Sequence, residues 1–219
     1  MTTDKTKSYR LEVYVNSLIE RNRLVDYAIV EVQSHQKRLL GKPSADIEDM
    51  ITFYANAFWT FCYSQFDVLA HVSNVLFPVI AKEVSVGFLE YAKKAGVPKI
   101  VAERMNSIIE DKNFDRLRAY RQCYLHRRAV MFKYQASATD SRVYSTSVGT
   151  TDRLKPTTVM LGDDPQAIDP AKTRPTKNLL VECRRLNRFA RDAIIAIQTV
   201  LEDAWNGEEE NNNPEIDRT

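Results

Sequence analysis

The sequence predicts an all-α fold, a bundle of four or more long helices with a small irregular or β insertion. Three observations predict it. Apolar residues recur at spacings of three and four along most of the 219 residues, capping and stop signals fall between those runs, and one segment alone has a loop-like composition. With 44% apolar and 27% charged residues the chain can bury a sizeable core, and its length suits one domain.

The first helix is expected over residues 8 to 40, where Leu11, Tyr14, Leu18, Leu24, Ala28, Val32 and Leu39 keep the helical period and "GKPS" stops it. Residues 1–8 are expected to be disordered. Ser44 then caps a second helix, with Asp46, Glu48 and Asp49 at the positive end of its dipole, and its apolar pattern runs to Phe77 before Pro78. A shorter helix is expected over 80–94, closed by "KKAG". Another has Pro98 in its first turn and runs to about Asp111, and Asn113 caps a further one through about Phe132. Residues 135–175 concentrate Ser, Thr, Asp, Gly and Pro. So long a structureless loop is unusual in a compact domain, so a small hairpin or flap is expected there, with "VYSTSV" and "TTVML" as its strands and Pro156 confining the second to an edge. Leu179, Cys183, Leu186, Ala190, Ala193, Ile197, Val200 and Ala204 alternate spacings of four and three and predict a long packing helix. The acidic, polar "GEEENNNPEIDRT" at 207–219 reads as a disordered tail, which leaves 9–206 as a single domain.

Composition also narrows the function. No run approaches the roughly 18 apolar residues of a membrane span, and "MTTDKTKSYR" lacks the apolar core of a signal peptide, so a cytoplasmic protein with no membrane partner is expected. Cys62, Cys123 and Cys183 are far apart and sit in apolar helical pattern; they read as reduced core residues. A net charge of +2 is too small for the whole surface to attract nucleic acid, so any basic site must be local.

Two stretches carry the candidate chemistry. In the second helix Asn56, Thr60, Ser64, Asp67, His71 and Asn74 form one narrow polar seam flanked by aromatic residues, which reads either as the solvent side of an amphipathic helix or as the wall of a cleft. Asp67 and His71, at i and i+4, can share a hydrogen bond, and with no third ligand in evidence no metal or other cofactor is expected. The second stretch runs from Arg116 to Lys133. It holds Arg116, Arg118, Arg121, Arg127, Arg128 and Lys133 with no acidic residue, and Tyr120 and Tyr124 lie among them, able to stack on bases or to pack as core. Gln122 follows Arg121 and can add a polar contact. His126, one of three histidines, lies five residues after Arg121 in "RQCYLHRR". His35, near the end of the first helix, reads as helix-terminal stabilisation.

With "RQCYLH" followed by "RR" on a late helix, the polar-dotted "SQFDVLAHVSNVLF" and the long C-terminal helix, the chain resembles the HEPN superfamily, and within it the Cthe-type HEPN-like branch. The family signature is Arg, four to six residues, then His; Asn, Asp or His usually follows the Arg, and this chain has Gln122 there. The resemblance implies a homodimer that cleaves RNA without metal, Arg121 and His126 being catalytic. Substrate contacts would come from Gln122, Tyr124, Arg116, Arg127, Arg128, Asp67, His71 and Asn74. It also implies a defence or toxin–antitoxin setting with a cognate antitoxin or regulatory partner. On an ideal helix Arg121 and His126 differ by about 140° and about 7.5 Å, so one copy makes no compact pair; a two-fold axis beside the helix would bring two of each to one cleft. The alternative is a non-catalytic helical module that keeps the basic groove for RNA, nucleotide or a protein partner. The heptad-spaced last helix and the apolar second helix are expected to supply packing surface for the dimer.

Overall fold

The computed structural model describes the backbone over residues 2–41, 44–126, 132–136, 156–162 and 175–212, and side chains over 5–39, 44–122 and 178–206. Among these residues the fold is helical: α1 (Thr2–Gly41), α2 (Ala45–Leu76), α3 (Phe88–Ala92), α4 (Lys99–Ile109), α5 (Lys112–His126) and α6 (Leu179–Asn212), with a 3₁₀ turn at Glu83–Ser85. Three strands, β1 (Phe132–Ala136), β2 (Pro156–Gly162) and β3 (Pro175–Asn178), form an antiparallel sheet in the order β1-β2-β3.

Local chemistry sets the boundaries. Ser44 caps α2 as expected, its hydroxyl accepting from the Ile47 N–H at 3.4 Å. At α5 the cap is Asp111 rather than Asn113: the Asp111 carboxylate accepts the Asn113 N–H at 2.6 Å, and Asn113 already lies inside the helix. Asn178 caps α6 by accepting from the Val181 N–H at 3.1 Å, a signal legible in the sequence and passed over there. Pro98 stands at the N-cap of α4, one residue outside it, where its carbonyl accepts from Val101 and Ala102. The expected 80–94 helix shrinks to the 3₁₀ turn and the five residues of α3, and Gly96 closes this stretch with φ +92, a conformation that disfavours any side chain. At the N-terminus α1 takes in residues 2–8, for which disorder was expected. Lys7 accounts for the extension, with Nζ donating to the Leu76 carbonyl at 3.4 Å and lying 4.1 Å from the Trp205 ring centroid.

The chain divides into two compact units, 1–21 with 64–115 and 189–219, and 22–63 with 116–188. Unit 1 is built on an aromatic cluster: Phe66 meets Phe88 and Phe114 edge-on, each pair at 5.2 Å between centroids, and all three are buried. The Tyr91 hydroxyl, 3.0 Å from the carbonyls of Ser73 and Phe77, donates to the end of α2, and burial holds this phenol well above its usual range. Unit 2 centres on Trp59, fully buried and stacked on Tyr120 of α5 at 4.4 Å. The sheet belongs to this unit.

Leu179, Cys183, Leu186, Ala190, Ala193, Ile197 and Val200 are all buried, as their spacing predicts. They are buried within their own chain, so this face is not the dimer surface anticipated for it. Cys62 and Cys183 are buried and in no disulfide; the Cys123 side chain lies outside the described residues. The segment "TTVML" lies in β2, which is central rather than an edge. Pro156 is tolerated because it is the first residue of the strand, paired with Ala136 where the register shifts. Phe132 belongs to β1 and not to the end of a helix, and "VYSTSV" lies outside the described residues.

Candidate functional site

In unit 2, α2 and α5 present a wall of aromatic and polar side chains. On α2, Asn56, Trp59, Thr60 and Tyr63 share an arc of about 100° at the helical repeat. Trp59 stacks on Tyr120, and the Arg121 guanidinium lies over Tyr63 at 4.6 Å from the ring centroid. Among the described residues Asn56 Oδ1, Trp59 Nε1, Thr60 Oγ1, Tyr120 OH and Arg121 Nε are buried without an aligned hydrogen bond, as are Nε and Nη2 of Arg116. Folded chains satisfy most such groups, since each costs about 1–3 kcal/mol when left unpaired, so their concentration on two facing helices is a property to be explained. Burial pushes the Tyr120 phenol up to about 12, with the charge of Arg116 and a contact between its guanidinium and the hydroxyl, short of hydrogen-bond alignment, acting the other way. This hydroxyl stays protonated, as a donor, through the physiological range.

Arg116 and Arg121 lie on the same helix and differ in kind. Arg116 Nε is 2.6 Å from Oε1 of the buried Glu182, an ion pair without the alignment of a hydrogen bond, and Arg185 grips the same carboxylate through Nε and Nη2 at 3.0 and 2.9 Å. That triad engages Arg116, expected as a substrate contact, with a buried carboxylate. Glu182 is a residue the sequence reading missed. Its spacing to Leu179 and Leu186, three and four residues, places it on the buried face of α6, and an acid at such a position signals a buried cation. Tyr63, the support beneath Arg121, was missed as well; nothing but its helical spacing to Trp59 pointed to it. Arg121 has no ion pair among the described residues.

The rest of the polar seam of α2 lies in unit 1, and it is neither a solvent face nor an open cleft wall. It faces α1, where Arg21 donates from Nε to the Ser64 hydroxyl at 3.0 Å and from Nη1 to Ser17, and Tyr14 stacks on His71 at 4.8 Å. Asp67 accepts the Phe88 N–H at 3.2 Å at the start of α3. Asn74 is buried and fully engaged: Oδ1 accepts from the N–H groups of Val79 and Ile80 at 3.1 and 2.9 Å, and Nδ2 donates to the Ile80 carbonyl at 2.9 Å. Asp67 and Asn74 therefore hold the chain in place rather than a substrate. Burial holds the His71 imidazole below its ordinary value; Asp67 acts against this, and Arg10 and Arg21 act with it.

Gln122 is half-buried beside Arg121, and His126 is the last described residue of α5. The side chains of Tyr124 and His126, and Arg127 and Arg128 entirely, lie outside the described residues. His35 is buried, with Nδ1 2.8 Å from the Glu31 carbonyl and Nε2 3.3 Å from Arg38. These two contacts, to Glu31 and Arg38 of the same helix, make His35 a brace near the end of α1. Among the described residues no three His, Cys, Asp or Glu side chains are grouped to hold a metal, and no helix is long and apolar enough to cross a membrane. Comparison with family models, with curated proteins and with solved structures gives no match.

Proposed function

We propose that the chain is a HEPN-like, metal-independent endoribonuclease acting as a homodimer in the cytoplasm, in a defence or toxin–antitoxin setting. One observation carries this reading: the half-buried Arg121 guanidinium is held over Tyr63 with no ion pair among the described residues, while Arg116 is paired with the buried Glu182. A phosphodiester supplies the charged acceptor that the half-buried Arg121 lacks, with Tyr63 supporting the guanidinium and the buried Trp59–Tyr120 stack behind it. Arg121 would hold the scissile phosphate by charge-assisted bonds as negative charge develops on it. His126 would take the proton of the RNA 2′-hydroxyl as that oxygen attacks phosphorus, and a second His126, across the two-fold axis, would protonate the departing 5′-oxygen. The products are a 2′,3′-cyclic phosphate and a free 5′-hydroxyl; DNA, lacking the nucleophile, is left intact.

Purified protein incubated with single-stranded RNA in EDTA tests this. His126→Ala and Arg121→Ala are expected to keep the helical fold and to lower the cleavage rate by about 10² to 10⁴, the usual contribution of general acid–base catalysis. Equal cleavage by wild type and His126→Ala removes the mechanism. Gln122, standing where Asn, Asp or His is usual, favours a second reading in which the same wall binds RNA, nucleotide or a protein partner without cutting. Binding that depends on Arg121 in a wild type that never cleaves establishes it.

A further inference from the structure

Unit 1 holds a second group of titratable side chains, separate from the wall that carries Arg121. His71 is half-buried with its ring face stacked on Tyr14, and neither ring nitrogen has a hydrogen-bond partner among the described residues. Tyr14 of α1 lies on His71, and on α1 Arg10 stands one turn before Tyr14 while Ser17, which holds the Arg21 guanidinium, stands one turn after it, so the two cations flank the ring. Arg21 is fixed by Ser64 and Ser17 through Nε and Nη1, bonds that leave its Nη2 unused. Arg10 is tied to Glu83 at 3.3 Å, both side chains being about half exposed. Exposed pairs of this kind contribute little, so Glu83 is easily displaced by a better anion. Facing His71 are therefore Arg10, Arg21 and Tyr14 from α1, Asp67 from its own helix, and Glu83 through Arg10. With His71 neutral, two cations meet two carboxylates; with His71 protonated, one positive charge is in excess. An anion and a proton would each favour the other's binding.

We propose that His71, Arg10 and Arg21 form a binding site for a phosphate group, taken up together with a proton on His71. Arg21, preorganised by its two serines, offers a donor at a fixed place; Arg10 closes over the anion by exchanging Glu83 for it; His71 donates from a ring edge that nothing in the described chain engages. Asp67 acts against the anion, and its charge sets the requirement for the proton. This site does not depend on RNA cleavage, and its test does not read cleavage.

The test follows the His71 ring by NMR in the full-length protein as pH is varied in chloride, sulfate and inorganic phosphate at equal ionic strength. Sulfate does not titrate in this range, so its effect isolates the histidine. Saturating sulfate or phosphate is expected to raise the His71 pKa by about one unit, which is tenfold tighter anion binding to the protonated form. Arg10→Gln is expected to weaken binding about tenfold and Asp67→Asn to strengthen it, the amide keeping the acceptor for Phe88. An equal response to chloride overturns the site, as does an Arg10→Gln protein with wild-type circular dichroism and undiminished sulfate binding. Should Arg10→Gln fail to fold, the comparison of chloride with sulfate in the wild type decides alone. Parallel titrations with adenosine monophosphate and with a short single-stranded RNA identify the source of the phosphate, the tightest of the three being the occupant.

Discussion

In the C-terminal half of α2, Ser64, Asp67 and Asn74 each end in hydrogen bonds to α1, to α3 or to the turn after Pro78. In its N-terminal half Asn56, Trp59 and Thr60, on the same helix and at the same spacing, leave buried polar atoms unpartnered, and so do Tyr120 and Arg121 opposite them. One periodic pattern thus gives, among the described residues, a seam closed by hydrogen bonds except at His71 at one end, and one with buried, unbonded atoms at the other. The difference teaches where to look for chemistry. Polarity that the fold consumes holds the chain together, and polarity that it leaves over marks the positions to test for another role.

Substitutions along α2 test that contrast, beginning with the largest expected effect. Trp59→Ala removes a fully buried ring and its stack on Tyr120 and is expected to cost about 3–5 kcal/mol in denaturant unfolding. Trp59→Phe keeps an aromatic partner for Tyr120 and removes part of the buried ring with an N–H unbonded among the described residues, so it is expected to cost less than Trp59→Ala. If the two unfold alike, the stack is not what holds this half together. Arg116→Ala is expected to cost about 3 kcal/mol by leaving Glu182 buried with Arg185 alone, whereas Arg116→Met with Glu182→Leu is expected to recover most of that loss.

Smaller effects separate the two halves most sharply. Asn74→Ala strands the Val79 and Ile80 N–H groups and is expected to cost about 1–3 kcal/mol, whereas Asn56→Leu and Thr60→Val remove atoms that bond to nothing and are expected to be neutral or stabilising. A loss at Thr60→Val equal to that at Asn74→Ala would show the N-terminal end of the seam to be internally satisfied after all. The smallest effect is one of pH. His71 is held below its unfolded value, so the unfolded chain binds more protons between the two pKa values. Its contribution to stability is complete above about pH 6.5 and falls as pH drops through that window toward the folded pKa. His71→Gln is expected to flatten this part of the stability profile, measured by urea unfolding at a series of pH values.

Much of the fold was legible because helix periodicity and burial are local properties. The spacing from Leu179 to Val200 picked out seven buried positions on α6, and Ser44 marked the start of α2. The partners of polar groups were not legible, because they depend on which helices meet. Nothing in "SQFDVLAHVSNVLF" says that Asp67 will cap α3 or that His71 will lie on Tyr14, 57 residues earlier in the chain. Arg116 and Arg121 look alike in the sequence, and Glu182, 66 residues after the first of them, pairs with the first while the second lies over Tyr63. The failure at Pro156 was of another sort. The rule that confines proline to edges has an exception for the first residue of a strand, and the sequence does not show where a strand begins.

Strand β3 and helix α6 meet without an intervening residue: Asn178 pairs with Met160 of β2 and at the same time caps the helix that starts at Leu179. Such a junction counts residues. Inserting or deleting one there would turn over the face of the strand on one side and rotate the helix by about 100° on the other, carrying Glu182, Cys183 and Leu186 off the buried face together. Length variation among descendants of this sequence is therefore expected to be excluded from 175–190, and an alignment of such descendants would show the interval from Asn178 to Glu182 held at four residues even where the side chains around it have drifted.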